Sequence, residues 1–238
     1  PLIERRVMRG ADLVIVGSEF SRQQAVKELG VDAGKISVVY YGVDARFTPG
    51  PKPQRLVERW GLRDHPVLLF LGGLKERKNL FFLLDVYREL VREQPDSRLV
   101  IAGSGPLLEP LKRAAERAGL GGQVIFTGYV PEAEKVEYYR LADLLMFPSS
   151  MEGFGFSVGE AMSCGLPVVV SNRGSLPELV VDGEGGSLCD PADRSAFAGR
   201  ALQLLSDSPL REKFGAANRE RVDRLFRWDH CAERTKQV

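Results

Sequence analysis

Two carboxylates, Glu152 and Glu160, stand eight residues apart in Pro148-Ser-Ser-Met-Glu152-Gly-Phe-Gly-Phe-Ser-Val-Gly-Glu160-Ala-Met162, a glycine-rich stretch that leads into a helix. A helix start preceded by glycines offers unpaired N–H groups, and such groups bind phosphate. Three other turns follow strand-like runs. Gly72-Gly-Leu-Lys-Glu-Arg-Lys-Asn79 places Arg77 and Lys78, cationic donors for an anion, beside glycines that let a ligand approach the backbone. The same turn also reads as ordinary solvated basic residues. Gly103-Ser-Gly-Pro106 lacks the third glycine of a dinucleotide fingerprint, since Leu108 occupies it, and no GxxxxGK[ST] phosphate loop occurs. Gly128-Tyr-Val-Pro131 forms a turn able to accept a flat ring against its backbone.

The richest stretch has two rival readings. Ser157 and Glu160 have the S-x-x-E spacing of a capping box, in which Glu160 would only satisfy a helix-terminal amide. Gly155-Phe-Ser157-Val-Gly159 matches the G-x-S-x-G nucleophile elbow of serine hydrolases, with His230 downstream as a base. An elbow needs its serine on a sharp strand-to-helix turn, and here several residues separate the apolar run ending at Phe147-Pro148 from Ser157.

The elements that position these loops alternate. Strand-like runs fall at Asp12–Gly17, Ile36–Tyr40, Pro66–Leu71, Arg98–Ala102, Val124–Thr127, Leu144–Phe147 and Pro167–Val170. Helical patterns fall at 18–29, 79–93, 107–118, 133–142, 193–205 and from Pro209 onward. Short continuous apolar strands bounded by glycine require a parallel sheet covered on both faces, so the fold class is α/β with a doubly wound parallel sheet. Gly42 to Pro53, with Pro49, Pro51 and Pro53, has no period of its own and reads as a linker, with a boundary near residue 50. Two strands and a helix or two cannot complete a sheet in the first fifty residues. That shortfall, with an opening at Pro1 rather than methionine, fits a fragment of a longer chain.

Composition narrows the function. With 33 Lys and Arg against 32 Asp and Glu in 238 residues, the net charge of +1 supplies no bulk field for nucleic acid, so a charged ligand must be held locally. Cys164, Cys189 and Cys231 form no CxxC, and His65 and His230 are too few for a zinc site, which reads as a reduced cytoplasmic protein. The apolar runs fall far short of the ~20 residues that cross a bilayer.

Taken together the loops resemble the family four, or group 1, retaining glycosyltransferases of GT-B fold. The stretch from Pro148 through Val168 carries that family's E-x7-E pattern and the following A-x-x-x-G-x-P-V. Ala11-Asp-Leu-Val-Ile-Val-Gly-Ser-Glu19, Tyr41-Gly-Val-Asp44, Ile101-Ala-Gly-Ser-Gly-Pro106, Pro177-Glu-Leu-Val-Val-Asp-Gly183 and Phe226-Arg-Trp228 stand in the family's order.

The resemblance implies roles for single residues. Glu152 would accept from hydroxyls of a donor sugar and Glu160 would hold the nucleotide's ribose. The amides around Gly153, Phe154, Gly155 and Phe156 would face the diphosphate. Lys78 and Arg77 would neutralise charge growing there in place of a metal, in keeping with the lack of any D-x-D. Gly72 and Gly73 would line the site, the backbone at Val130 would meet the base, and Lys135 would lie over it. One departure is that the family commonly has a G-R-L triplet where this chain has Gly72-Gly73-Leu74. Either Arg77 compensates for the missing arginine or the site is weaker.

Residues 1–46 would be the remnant of an N-terminal acceptor domain with its linker, 47–222 the nucleotide-sugar-binding domain, and 223–238 a helix crossing back. The partners implied are a nucleotide sugar and a sugar or lipid-linked acceptor, with no metal and no nucleic acid. The location implied is cytoplasmic, with peripheral attachment to the inner face of the membrane. The alternatives are a non-catalytic nucleotide-binding module or a serine hydrolase using Ser157.

Overall fold

The structure, a computed structural model, describes residues 2–238. The first elements form a small unit: α1 (Leu2–Gly10), β1 (Val14–Val16), α2 (Glu19–Gln24) and β2 (Ile36–Val38). Here α2 starts at Ser18, whose side chain accepts from the Ser21 amide, and continues as a π turn through Leu29 until Gly30 ends it in the left-handed region. The two strands pair in parallel over a small core of Val14, Val16, Ala25, Val31 and Ile36. This sheet has two strands, β1 and β2.

The segment Gly42 to Pro53 that reads as a linker is held down along its length. Val43 and Phe47 are buried in the main core, the Val43 amide donates to the Phe226 carbonyl, and Ser163 donates to the Phe47 carbonyl. Beyond it come α3 (Gln54–Trp60), β3 (Val67–Leu71), α4 (Leu80–Leu90), β4 (Arg98–Ala102), α5 (Leu108–Arg117), β5 (Val124–Gly128), α6 (Lys135–Leu141) and β6 (Leu144–Phe147). The chain ends with α7 (Phe156–Ser163), β7 (Val168–Ser171), α8 (Leu176–Leu179), β8 (Gly186–Cys189), α9 (Arg194–Ser206), α10 (Ser208–Leu225) and α11 (Trp228–Lys236).

Six strands form one parallel sheet in the order β5-β4-β3-β6-β7-β8. Helices α4, α5 and α9 pack together over one face, and α3, α6, α7 and α10 over the other. Every residue of β3, β6 and β7 is buried, which explains why these strands are uninterrupted apolar runs. The doubly wound α/β architecture is therefore as expected. Strand order reverses between β3 and β6, and in such sheets the crevice at the carboxyl ends of the two strands flanking the reversal is where ligands bind.

β8 does not follow from periodicity, because Gly-Ser-Leu-Cys has no β-branched residue and pairs on one side only, with β7. α10 runs through residue 222 to Leu225, and the chain then turns at Phe226-Arg227, where Arg227 bridges to Val43. In the run Phe81 to Leu84, Leu83 and Leu84 are buried, while Phe81 is exposed. Among the described residues no helix is long and apolar enough to cross a membrane.

Candidate functional site

The loops leaving β3 and β6 meet above the strand-order reversal. After β3, Gly72 to Lys75 lead to a 3-10 turn, Glu76–Lys78, and then Asn79 at φ 56°, the one residue other than glycine in the left-handed region among those described. Asparagine tolerates that conformation better than most side chains, and a strained residue beside a functional group is a recurrent pairing. The reversal at Asn79 ends the turn and starts α4, and it leaves the Lys78 side chain pointing inward, 8% exposed.

Lys78 Nζ lies 2.6 Å from Glu152 Oε1 and 4.5 Å from the centre of the Phe147 ring. Burial pulls its pKa down while Glu152 pushes it back up. Arg77 Nη1 donates to the same Oε1 at 2.8 Å and to the Met151 carbonyl at 3.0 Å, yet its side chain is 47% exposed. The Arg77 carbonyl in turn accepts from the Ser150 amide at 2.8 Å, so the two loops are stitched together through backbone as well as charge. Glu152 therefore receives two cations on one oxygen, and its Oε2 accepts from no group among the described residues.

The backbone of Glu152 is fixed from behind. Ser175 donates its amide to the Glu152 carbonyl, and a Cβ at Gly174 (φ 62°) would come within 2.6 Å of Glu152 backbone atoms. Only glycine meets both demands. Ahead, Gly155 at φ 91° caps α7, so the Gly153–Phe156 segment forms a glycine-rich approach to a helix start. A cleft of about 390 Å³ opens here, lined by Arg77, Lys78, Glu152 and the 153–157 backbone. Tyr41 also lines it and stacks on Phe156 at 5.5 Å between ring centres. The first unit contributes once more through Ser18 and Ser21, whose hydroxyls donate to the Gly153 carbonyl at 2.6 and 3.2 Å. Neither contact is visible in local pattern, since the partners lie more than a hundred residues apart.

A second cleft, about 290 Å³, adjoins the first through Ser157 and runs over the ends of β3, β4 and β5. Gly72, Gly73, Val130 and Lys135 line it, with Gly103, Ser104 and the exposed Tyr129. Glu160 is buried one step back from this cleft. Its Oε2 accepts from the Tyr139 hydroxyl at 2.6 Å, and its Oε1 lies 3.6 Å from the Nζ of Lys135, which itself sits 2.7 Å from Glu132. Burial raises the Glu160 pKa, and Tyr139 and Lys135 oppose that shift.

Both rival readings fail on this geometry. Gly155, not Ser157, caps α7, and the Glu160 carboxylate goes to Tyr139, so there is no capping box. Ser157 is the second residue of that helix and not the apex of a strand-to-helix turn, while His230 lines a different cavity beside Tyr40 and Arg221. The serine hydrolase alternative is thereby withdrawn. Among the described residues no three His, Cys, Asp or Glu side chains are grouped to hold a metal.

Residues 55–221 match the family described as Glycosyl transferases group 1, and residues 2–47 match Glycosyltransferase Family 4. The chain is 34% identical over 233 residues to the GDP-mannose-dependent alpha-(1-6)-phosphatidylinositol monomannoside mannosyltransferase of Mycolicibacterium smegmatis, covering 94% of this chain and 61% of the relative. It is 37% identical to D-inositol 3-phosphate glycosyltransferase 2 of Catenulispora acidiphila, covering 99% of this chain and 57% of that one. The chain thus spans about three fifths of the length of the curated relatives it matches. Among solved structures, sucrose-phosphate synthase of Thermosynechococcus elongatus superposes with a TM-score of 0.87 at 27% identity, over 99% of this chain and 59% of that one.

Proposed function

The chain belongs to the group 1 glycosyltransferases, and on that footing we propose that it is the donor-binding part of an enzyme that moves a sugar from a nucleoside diphosphate sugar to an acceptor hydroxyl. The observation that carries this reading is the buried Lys78–Glu152 pair, joined by the half-exposed Arg77, facing the glycine-rich start of α7 at the strand-order reversal. Cations and helix-terminal amides together suit a diphosphate, and the unclaimed Oε2 of Glu152 suits a sugar hydroxyl beside it. The second cleft takes ribose and base, with Glu160 on the ribose and the Val130 backbone and Lys135 at the base.

In the reaction the acceptor oxygen bonds to the anomeric carbon as the bond from that carbon to the phosphate oxygen breaks. The electron pair stays on the phosphate, and the acceptor proton moves to that oxygen. Approach and departure on one face retain the anomeric configuration, and the anomeric proton coupling of the product reads the outcome. Lys78 and Arg77 meet the growing diphosphate charge, so no divalent ion is required and turnover should survive EDTA. A binding module that had shed catalysis would have little use for Lys78 and Glu152, and both are kept and engaged. The whole protein's acceptor is a sugar or lipid-linked hydroxyl, and any attachment to the membrane would be peripheral and on the cytoplasmic side.

The test is a thermal-shift titration with UDP, GDP and ADP and their sugar conjugates. Ligand at about 100 times its dissociation constant adds ~2.7 kcal/mol, or roughly 5–10 °C for a chain of this size. A shift with one nucleotide, enlarged by its sugar conjugate, is the expected result. No shift with any of them would overturn the reading.

A further inference from the structure

Tyr139 has a hydroxyl that packing alone does not explain. The residue is 1% exposed, and its ring sits edge-on to Phe47 at 5.8 Å, a contact that phenylalanine would make equally well. A hydroxyl buried that deeply must be bonded, and this one is directed to a single acceptor, Glu160 Oε2, at 2.6 Å. Glu160 has one cation beside it, Lys135 Nζ, at 3.6 Å and shared with Glu132, so the Tyr139 hydroxyl makes the one short hydrogen bond to its carboxylate among the described residues.

We propose that Tyr139 is a positioning residue for nucleotide binding: its hydroxyl holds the Glu160 carboxylate ionised and oriented through Oε2, leaving Oε1 to accept a ribose hydroxyl. This rests on the reading of Glu160 as the ribose carboxylate. The chemistry needs such a group because a protonated Glu160 in its buried setting has lost an acceptor site and its charge together. Burial and the neighbouring carboxylate push the Tyr139 pKa well above the ordinary tyrosine value, so the phenol stays a donor wherever the protein is folded.

The remaining surroundings of Glu160 do not replace it. From α6 and the turn before it come Tyr139, Lys135 and Glu132, and Glu132 works against the charge. Arg140, also on α6, is bonded to Thr48. Just past the end of α7 stands Cys164, whose thiol is pushed up to about 12 by burial and stays neutral. From α10, Arg219 goes to the Ser163 carbonyl and to Asp223. From α8, Glu178 is engaged by the Glu19 and Phe20 amides. The buried residues of β6 and β7 bring no titratable side chain.

The experiment is calorimetric titration of the chain with GDP and with UDP between pH 5.5 and 9, for the wild type, Tyr139→Phe and Glu160→Gln. Alongside it, the Glu160 carboxyl is followed by carbon-13 NMR. Wild-type affinity should fall as pH drops through the Glu160 midpoint. In Tyr139→Phe that midpoint should lie higher, with affinity near wild type at pH 9 and weakened about tenfold at low pH for each unit the midpoint moves. Glu160→Gln should bind weakly at every pH. If Tyr139→Phe follows the wild-type pH profile while Glu160→Gln still binds weakly, the positioning role fails and the ribose reading stands. If Glu160→Gln binds as the wild type does, the ribose reading itself fails. Should Tyr139→Phe not fold, fluorotyrosine incorporation tests the same bond: a more acidic phenol must move the Glu160 midpoint down, and an unmoved midpoint overturns the proposal.

Discussion

Glu152 and Glu160 are the same side chain in the same segment, yet their surroundings differ in kind. Glu152 stands on a loop with two cations on one oxygen, at the edge of an open cleft. Glu160 stands inside a helix with a neutral phenol on one oxygen and a lysine at a distance on the other. The first setting holds two positive charges against one negative, and the surplus suits a step in which negative charge grows. The second preserves one oriented acceptor at low field, and it suits recognition of a ligand whose charge does not change. Two identical side chains thus acquire two electrostatic settings from their neighbours alone.

Replacing Lys78 should separate the two regions most sharply. With Lys78→Ala, turnover in the full-length enzyme should drop about 100–1,000-fold, the scale seen when one group stabilising transition-state charge is removed. Affinity for the nucleotide diphosphate should fall much less, so single-turnover rates and equilibrium titration must diverge. Equal losses in both would place the cluster in ground-state binding and erase the contrast.

Next in size is the exchange of acids for amides. Glu160→Gln should weaken nucleoside diphosphate binding about 10–100-fold, the scale of a hydrogen bond to a charged group, while Glu152→Gln should leave the sugar-free nucleotide nearly untouched. Because the Glu160 pKa is raised in the fold, its ionised form destabilises the protein above that pKa, and the penalty disappears as pH falls through it. Glu160→Gln should therefore raise the melting temperature of the ligand-free chain at pH 8, with a gain that shrinks toward acid. A variant that melts lower at pH 8 would mean the carboxylate is a structural asset.

The smallest effect concerns Gly73, in the wall of the second cleft. A Cβ at Gly73 would meet nothing nearer than the Lys75 side chain at 3.9 Å, so the backbone leaves room for the arginine that resembling sequences carry. Gly73→Arg should tighten nucleotide binding about three- to tenfold, less at high salt. An unchanged affinity would show that Arg77 already supplies what the arginine would.

Much of this was legible from residue types. Strand β6 begins and ends where its apolar run does, because a strand buried on both faces has no polar residue to blur its limits, and β4 also spans the expected Arg98–Ala102. That Arg77 and Lys78 act together with the E-x7-E segment was implied by the family resemblance alone, and the structure brings their loops together at the strand-order reversal. What escaped was whatever depends on distant partners. Ser157-x-x-Glu160 has the local spacing of a cap, and only the packing of α6 on α7 sends the carboxylate to Tyr139. Tyr139 itself reads as core, which it is, and nothing in its neighbourhood marks the hydroxyl as used. Likewise the Ser18 and Ser21 contacts to Gly153 join segments whose patterns carry no sign of each other.

The pairing of Leu68 with Leu144, which brings β3 beside β6, also fixes when the site comes into being. Three strands and their helices must be synthesised between the two halves of the cluster, and contacts of such separation form late and slowly in folding. Until β6 arrives, Arg77 and Lys78 have no carboxylate to face, so a nascent or partly folded chain holds a bare cationic turn and no nucleotide pocket. On the proposed function, donor nucleotide would therefore stabilise only the finished domain, acting as a judge of completed folding rather than a guide to it.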